Sequence, residues 1–362
     1  QVLDIILDDP EALLTTPLAD TVWRASAENS GTRARGSDGE RTQSTIDQRI
    51  LAAWVVDIDR GTFPQGLSQV ITRSVRELIT VGFDTIVGES DGVVLFALGS
   101  FAVGEPRLTS DLDLLVITKG RELEPVTRAI QGISRILAEG NLLQIDFRLR
   151  GEGANAPLVQ DLETYRQYFA KRLSPWERVA FAKCAHWWGD PSLAEEFTEA
   201  IMPRLVENPV PGTIESLIET RSKLQGLVKK DAELLETKRS QGGRYDIEYL
   251  CSIGLAVLGK PFSLEHSSRT RLKHLAKAGL ITSDDHDTMT AALALYSKIE
   301  YLLELGELML PSSPESTTET FQYLATTMEL LGMSSNGDVE SALGQYKELV
   351  RRCYDNFVSQ LH

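Results

Sequence analysis

The chain has 362 residues, 42% apolar and 7% aromatic, with 37 Lys and Arg against 52 Asp and Glu, a formal charge of −15. That length gives room for about two domains and an ample core, while the acidic balance and the lack of a Lys/Arg block argue against a duplex nucleic-acid binder, which must displace counterions with a basic surface. Three scattered cysteines (Cys184, Cys251, Cys353) with no CxxC pair exclude a disulfide framework and a cysteine zinc site and fit a reducing, cytoplasmic setting. The longest apolar run, Val93 to Val103, is broken by Gly99 and Ser100 and falls short of the roughly 18 residues that span a bilayer. No signal peptide precedes it. Gln1 in place of Met reads as a processed chain or an excerpt.

In chain order, Val2 to Trp23 has helical spacing, and Ser26 to Ser44, without a large apolar side chain, reads as a flexible loop. Helices are predicted over Ile46 to Val56 and Gly66 to Val81, the second with Leu67, Val70, Ile71, Val75 and Leu78 on one face. Val93 to Leu98 and Leu112 to Thr118 are short apolar runs that read as buried strands, and Leu123 to Leu137 as a helix. From Leu142 to Arg150 the alternation is strict, with Gln144, Asp146, Arg148 and Arg150 on one face, predicting a half-buried strand with a charged side. Beyond Leu158 the periodicity is almost wholly helical. Pro203 to Gly212 and Pro311 to Thr320 read as connectors, and Asp284 to Leu305, with Met289, Leu293, Tyr296, Ile299 and Leu303 in one stripe and a stop near Gly306 and Pro311, is the clearest helix. A last helix is predicted over Val339 to Val358. The domains expected are N-terminal helices (1–90, with the loop 26–44), a catalytic core (91–210) and a C-terminal helical bundle (211–362).

The segment Leu95 to Ile117 carries the most chemistry. Asp111 and Asp113 share a face of the second strand, because residues i and i+2 of an extended chain point the same way. They form either a solvated turn or a pair whose mutual repulsion a divalent cation relieves. Asp146, on the polar face of the next predicted strand, could complete an oxygen-ligated site for two Mg²⁺ ions, which assist in-line phosphoryl displacement. Gly99 and Ser100 are either an ordinary strand-end turn or the phosphate side of that site, since glycine admits the close approach of a backbone. Gly99 and Gly104 have Walker A spacing, but Glu105 and Pro106 stand where Lys and Ser or Thr are required, so a P-loop ATPase is rejected. Arg148 and Arg150 share the face of Asp146, either to neutralise a triphosphate or to pair with surface carboxylates. The five histidines show no ligand spacing and read as surface or packing residues. Trp187 and Trp188 read as core.

These residues resemble the glutamine synthetase adenylyltransferases, also called glutamate–ammonia-ligase adenylyltransferases. Gly99 to Leu114 matches the spacing from glycine to Ser-Asp-x-Asp, here Ser110, Asp111, Leu112 and Asp113. Asp146 to Asp190 is similar to the family's Asp-x-Arg-Leu-Arg-Pro-Glu-Gly signature, its Gly-Pro-Leu-Val follower, the Trp-Glu-Arg helix and the Gly-Asp after it. Gly242, Gly243, Asp246, Ile247 and Glu248 resemble Gly-Gly-x-x-Asp-Ile-Glu. Departures are Ser100 where Lys is common, Gly151 for Pro, Ala156 for Gly, Ser252 for Gln, and Tyr301 and Leu302 for a His-Arg pair. None removes a metal-binding carboxylate.

The resemblance implies an α/β (α+β) nucleotidyltransferase domain of the DNA polymerase beta-like kind, with a small mixed sheet, followed by an all-α helical bundle. It implies AMP transfer from ATP to a tyrosine of glutamine synthetase, or its removal by phosphorolysis, in the regulation of nitrogen assimilation. In that reading Asp111, Asp113 and Asp146 are catalytic and bind two Mg²⁺ or Mn²⁺ ions. Gly99, Ser100, Ser110, Arg148 and Arg150 bind the nucleotide. Glutamine synthetase is the expected partner, joined by a PII-type signalling protein if the chain is part of a longer enzyme; neither nucleic acid nor membrane is expected. The family carries two similar halves, and this chain has the length of one. Asp246-Ile247-Glu248 looks more like the half that adds AMP, and the missing Met and the end just after a helix suit a C-terminal half. Asp246 and Glu248 are either groups near the nucleotide or helix N-terminal acids favoured by the dipole. Two alternatives stay open: a catalytically silent regulatory module, and an adenylyltransferase with another acceptor.

Overall fold

The computed structural model describes residues 49–139, 145–147, 156–206, 212–229, 233–260, 262–309, 316–333 and 338–361. The chain divides into two compact units, one of residues 1–173 with 183–202 and one of 174–182 with 203–362.

The first unit is built on a small mixed sheet. Residues 49–59 are helical, and α1 (Gln65–Ile86) buries Leu67, Val70, Ile71, Val75, Leu78, Ile79 and Phe83 on one stripe, the face that its 3.6-residue period specifies. Strand β1 (Val93–Leu98) is buried at every position, as befits a central strand covered on both sides. It leads into a single helical turn, α2 (Gly99–Ala102), and a loop to β2 (Leu112–Thr118). Helix α3 (Leu123–Glu139), β3 (Ile145–Asp146), β4 (Val159–Asp161) and α4 (Leu162–Lys171) follow. Strand β5 (Cys184–Gly189) and helix α6 (Pro191–Val206) come last. The sheet order is β3-β2-β1-β5, with β4 also on β2; β1 runs antiparallel to β2 and β5, and β3 and β4 run parallel to β2. Helix α1 packs against α3 and β5.

The expected α/β fold with a small mixed sheet is observed, and β1 and β2 have the predicted bounds. Strands β4 and β5 are exceptions to the almost wholly helical pattern expected beyond Leu158. The strand expected over Leu142 to Arg150 is described only at 145–147, where Ile145 and Asp146 are extended.

The second unit is helical. It holds α5 (Pro175–Phe181), α7 (Thr213–Gln225), α8 (Arg244–Leu258), α9 (Ser268–Lys277), α10 (Ser283–Met309), α11 (Thr317–Leu330) and α12 (Val339–Ser359). Helix α8 touches α5, α7, α9, α10 and α12 and is apolar nearly all round, the pattern of a bundle's central helix. One expected boundary moves: helix α6 runs through Pro203 to Val206. Helix α10 ends at Met309, between Gly306 and Pro311 as expected. A Cβ on Gly306 would lie 2.9 Å from the Tyr323 hydroxyl, which donates to Leu302 O at 2.9 Å. The glycine therefore admits a crossing side chain in the last turn of the helix. The α10 stripe closes on buried Leu302 rather than on half-buried Leu303. No described helix is long and apolar enough to cross a membrane.

Candidate active site

The site is laid out by the ends of β1 and β2. Gly99 has a φ of +64°, a conformation that costs little only for glycine, and its N–H donates to Lys183 O at 3.0 Å, just before β5. A Cβ on Gly99 would stand 3.2 Å from Asp113 Oδ2, so the absent side chain leaves the strand end open beside that carboxylate. Phe101, 2% exposed, meets Trp187 of β5 edge-on with centroids 6.2 Å apart and anchors the Gly99–Ala102 turn in the core. Ser100 is half-buried, and its carbonyl accepts the N–H groups of Val103 (3.3 Å) and Glu105 (2.9 Å). The loop then reaches Ser110, whose hydroxyl accepts from Arg107 N–H at 2.8 Å.

Asp111 is exposed and Asp113 half-buried, with fully buried Leu112 between them. This is the alternation of a strand whose other face lies in the core. Strand β3 pairs Leu112 with Ile145 and Asp113 with Asp146 in parallel register. Laterally paired residues of a sheet point to the same face, so backbone pairing brings the half-buried Asp146 beside Asp113, on the face that Asp111 shares. The residue types suit a hard, oxygen-ligated divalent cation. In their present poses, among the described residues, no three His, Cys, Asp or Glu side chains form a ready ligand cluster. The match to a metal site is thus one of position and donor chemistry. Arg148 and Arg150 lie outside the described residues.

Other motif residues are structural. Gly189 has a φ of +102°, and a Cβ there would lie 2.2 Å from Val93 O. Asp190 accepts from Gly92 N–H (3.1 Å), Ser192 N–H (2.9 Å) and Leu193 N–H (3.2 Å), and these bonds, Gly92's foremost, hold its carboxyl below the usual range. The Gly-Asp pair therefore fastens the start of β1 to the first turn of α6. In the helical unit, Asp246 is fully buried and pairs with Arg221 at 2.6 Å and Arg351 at 3.6 Å. It accepts Gly242 N–H at 2.7 Å. Arg221 also donates to Arg239 O and Ser240 O, and Tyr296 Oη to Gly242 O. A Cβ on Gly242 would fall 1.9 Å from Lys347 O. Of the two roles open to Asp246, that of helix N-terminal acid fits, since it lies in the first turn of α8, and its buried contacts make it a packing residue as well. Tyr301 and Leu302 are core residues at 1% and 0% exposure. Sequence reading missed the Lys183 carbonyl, a backbone group with no signature, and Phe101 and Trp187 as supports of the turn.

Residues 65–200 match the family described as Glutamate-ammonia ligase adenylyltransferase. Three curated relatives carry the name bifunctional glutamine synthetase adenylyltransferase/adenylyl-removing enzyme. That of Mycolicibacterium smegmatis is 26% identical over 78% of this chain and 29% of its own length. That of Bradyrhizobium sp. BTAi1 is 26% identical over 74% of this chain and 29% of its own. That of Rhodopseudomonas palustris TIE-1 is 23% identical over 74% and 28%. The matched region thus spans under a third of the length of these relatives.

Proposed function

We propose that the chain, similar over residues 65–200 to the glutamine synthetase adenylyltransferases, is a metal-dependent nucleotidyltransferase that moves AMP from ATP to a tyrosine of glutamine synthetase. The observation that carries the reading is the parallel pairing of Asp113 with Asp146 beside Gly99, because carboxylates gathered on one face of a sheet suit a divalent cation and a phosphate-bearing substrate suits that cation in turn.

Asp111, Asp113 and Asp146 would hold two Mg²⁺ or Mn²⁺ ions. Such ions neutralise phosphate charge and lower the pKa of a bound hydroxyl when present. The chain's own work is placement. Gly99 leaves room beside Asp113, Ser100 and Ser110 offer hydroxyls to phosphate oxygens, and Arg148 and Arg150 supply guanidinium groups to the triphosphate. The tyrosine oxygen attacks the α-phosphorus, the bond to the β-phosphate oxygen breaks, pyrophosphate leaves, and Asp146 takes the phenolic proton. No covalent enzyme intermediate is required, since holding the two reactants in line supplies a large share of the rate. The proposed direction is AMP addition, because Asp246-Ile247-Glu248 resembles the adding half. The reverse reaction, attack of orthophosphate on the tyrosyl–AMP ester to give ADP, would use the same carboxylates.

The test incubates the chain with glutamine synthetase, Mg²⁺ and ATP labelled in the adenosine moiety. Label on glutamine synthetase supports the proposal, and label on another acceptor alone changes the substrate. The absence of transfer under Mg²⁺ and Mn²⁺ favours the silent regulatory module. In parallel, adenylylated glutamine synthetase with orthophosphate should release ADP more slowly than the first reaction releases pyrophosphate; the opposite order would reverse the assigned direction.

A further inference from the structure

The loop from Val103 to Ser110 determines where Asp111 stands relative to Gly99 and Ser100, and it is fastened from outside the sheet. Its near end is tied to the turn by Glu105 N–H on Ser100 O at 2.9 Å. Its far end closes as a turn, with Arg107 N–H on Ser110 Oγ at 2.8 Å and Ser110 N–H on Arg107 O at 3.3 Å. Between these ties, Pro106 O accepts the Ser68 hydroxyl at 3.0 Å. Ser68 is 6% exposed and Pro106 is buried, so water does not compete for the bond.

Ser68 is itself held in place. Helix α1 begins after Pro64 with no side-chain cap of its own, which would leave its first N–H groups without helical partners. Asp57, 2% exposed at the end of the preceding helical segment, supplies the missing acceptors. Its Oδ1 takes Gly66 N–H at 3.1 Å and Thr62 Oγ1 at 2.6 Å, and its Oδ2 takes Leu67 N–H at 2.6 Å. A Cβ on Gly66 would lie 2.2 Å from Asp57 Oδ1, so a glycine is what permits the carboxylate to reach the helix end. The chain of contacts runs from Asp57 to the α1 N-terminus, then through Ser68 to Pro106, and on to Ser110 and Asp111.

We infer that Ser68 is a positioning residue for the carboxylate site, its hydroxyl fixing the loop that delivers Ser110 and Asp111 to the end of β2. The inference rests on the nucleotidyltransferase reading for its functional meaning, and its structural content stands on the Ser68–Pro106 bond. Removing the Ser68 hydroxyl takes a buried hydrogen bond away from the Pro106 carbonyl and loosens the loop's tie to α1.

The experiment compares the full-length chain with Ser68→Ala and with Thr72→Val. Thr72 lies one turn on in α1, and its hydroxyl bonds within the helix, to Ser68 O at 2.8 Å. Two quantities are read: amide hydrogen exchange of the Arg107–Ser110 turn, and Mn²⁺ affinity by electron paramagnetic resonance. Ser68→Ala should speed exchange of that turn and weaken Mn²⁺ binding, each about fivefold, the factor that one net hydrogen bond represents. Thr72→Val should change neither. Unchanged exchange in Ser68→Ala overturns the inference, and so does faster exchange with unchanged Mn²⁺ affinity, since Ser68 would then be structural only. Wild-type chain that binds Mn²⁺ but transfers no AMP would refute the functional reading while the Ser68 result stands on binding alone.

Discussion

Two sets of acidic residues, one in each unit, are treated in opposite ways. In the helical unit Asp246 is 0% exposed and Arg221 1% at a separation of 2.6 Å, and the carboxylate is further engaged by Gly242 N–H. Burial pushes its carboxyl up while Arg221 and that N–H pull it down. In the sheet unit Asp111 is exposed and Asp113 and Asp146 are half-buried, side by side at a strand end. The contrast separates two uses of one side chain. An acid enclosed by protein cations and N–H groups is an element of the fold, whereas acids gathered at an open sheet rim have room for a ligand from solution.

The largest expected effect falls on the open set. Asp111→Asn together with Asp113→Asn should reduce AMP transfer by at least about a thousandfold, because metal-assisted charge stabilisation is worth several kcal/mol. The circular dichroism spectrum and melting temperature should stay near those of the parent. A double variant that loses its fold instead would erase the distinction between the two acid sets.

The enclosed set should behave in reverse. Asp246→Asn leaves the Arg221 guanidinium buried without its counter-charge, and urea unfolding of the full chain should register a loss of about 3–5 kcal/mol. Gly242→Ala should be at least as damaging, since its Cβ would collide with Lys347 O and its φ is +74°. Normal stability in both would remove the case for a packing role.

Lys347 sharpens the comparison through pH. Its amine, 7% exposed, donates to Glu233 O, Glu236 O and Ser240 Oγ, and burial lowers its pKa to about 8. A lysine whose folded pKa lies below its unfolded one binds fewer protons folded than unfolded between the two values. Stability therefore rises with pH across that window. Relative to Lys347→Met, which shares every other titrating group, the parent should gain on the order of 2 kcal/mol between pH 8 and pH 10. A flat difference would show that the amine keeps its ordinary pKa.

What could be read from the sequence follows the same physics. Strands β1 and β2 were legible because each is an apolar run closed by residues of a distinct kind, Gly99 and Ser100 for one and Asp111 for the other. Asp111 and Asp113 sharing a face follows from strand period alone, while the pairing of Asp113 with Asp146 is a matter of register that no single segment encodes. Strand β5 was missed because Cys184 to Gly189 contains two adjacent tryptophans and no alternation: Trp187 packs on Phe101 and Trp188 donates to Asp84 at 2.6 Å, so neighbours in space bury both faces. Strand β4, three residues long, exists through its partner β2. The stop of α10 near Gly306 and Pro311 was legible, but the packing of Tyr323 on Gly306 was not, since the two lie 17 residues apart. Asp57 and Ser68 carry no motif, and their roles depend on residues 9 to 38 positions distant.

Asp113 and Asp146, paired across β2 and β3, are proposed to hold a divalent cation with Asp111. Mn²⁺ titration of the full-length chain, followed by electron paramagnetic resonance, tests it most directly when repeated with Asp113→Asn, Asp146→Asn and, as a control outside the site, Asp190→Asn. The account predicts saturable binding that falls at least tenfold in each of the first two variants and is unchanged in the third. Equal binding in all four proteins would contradict it.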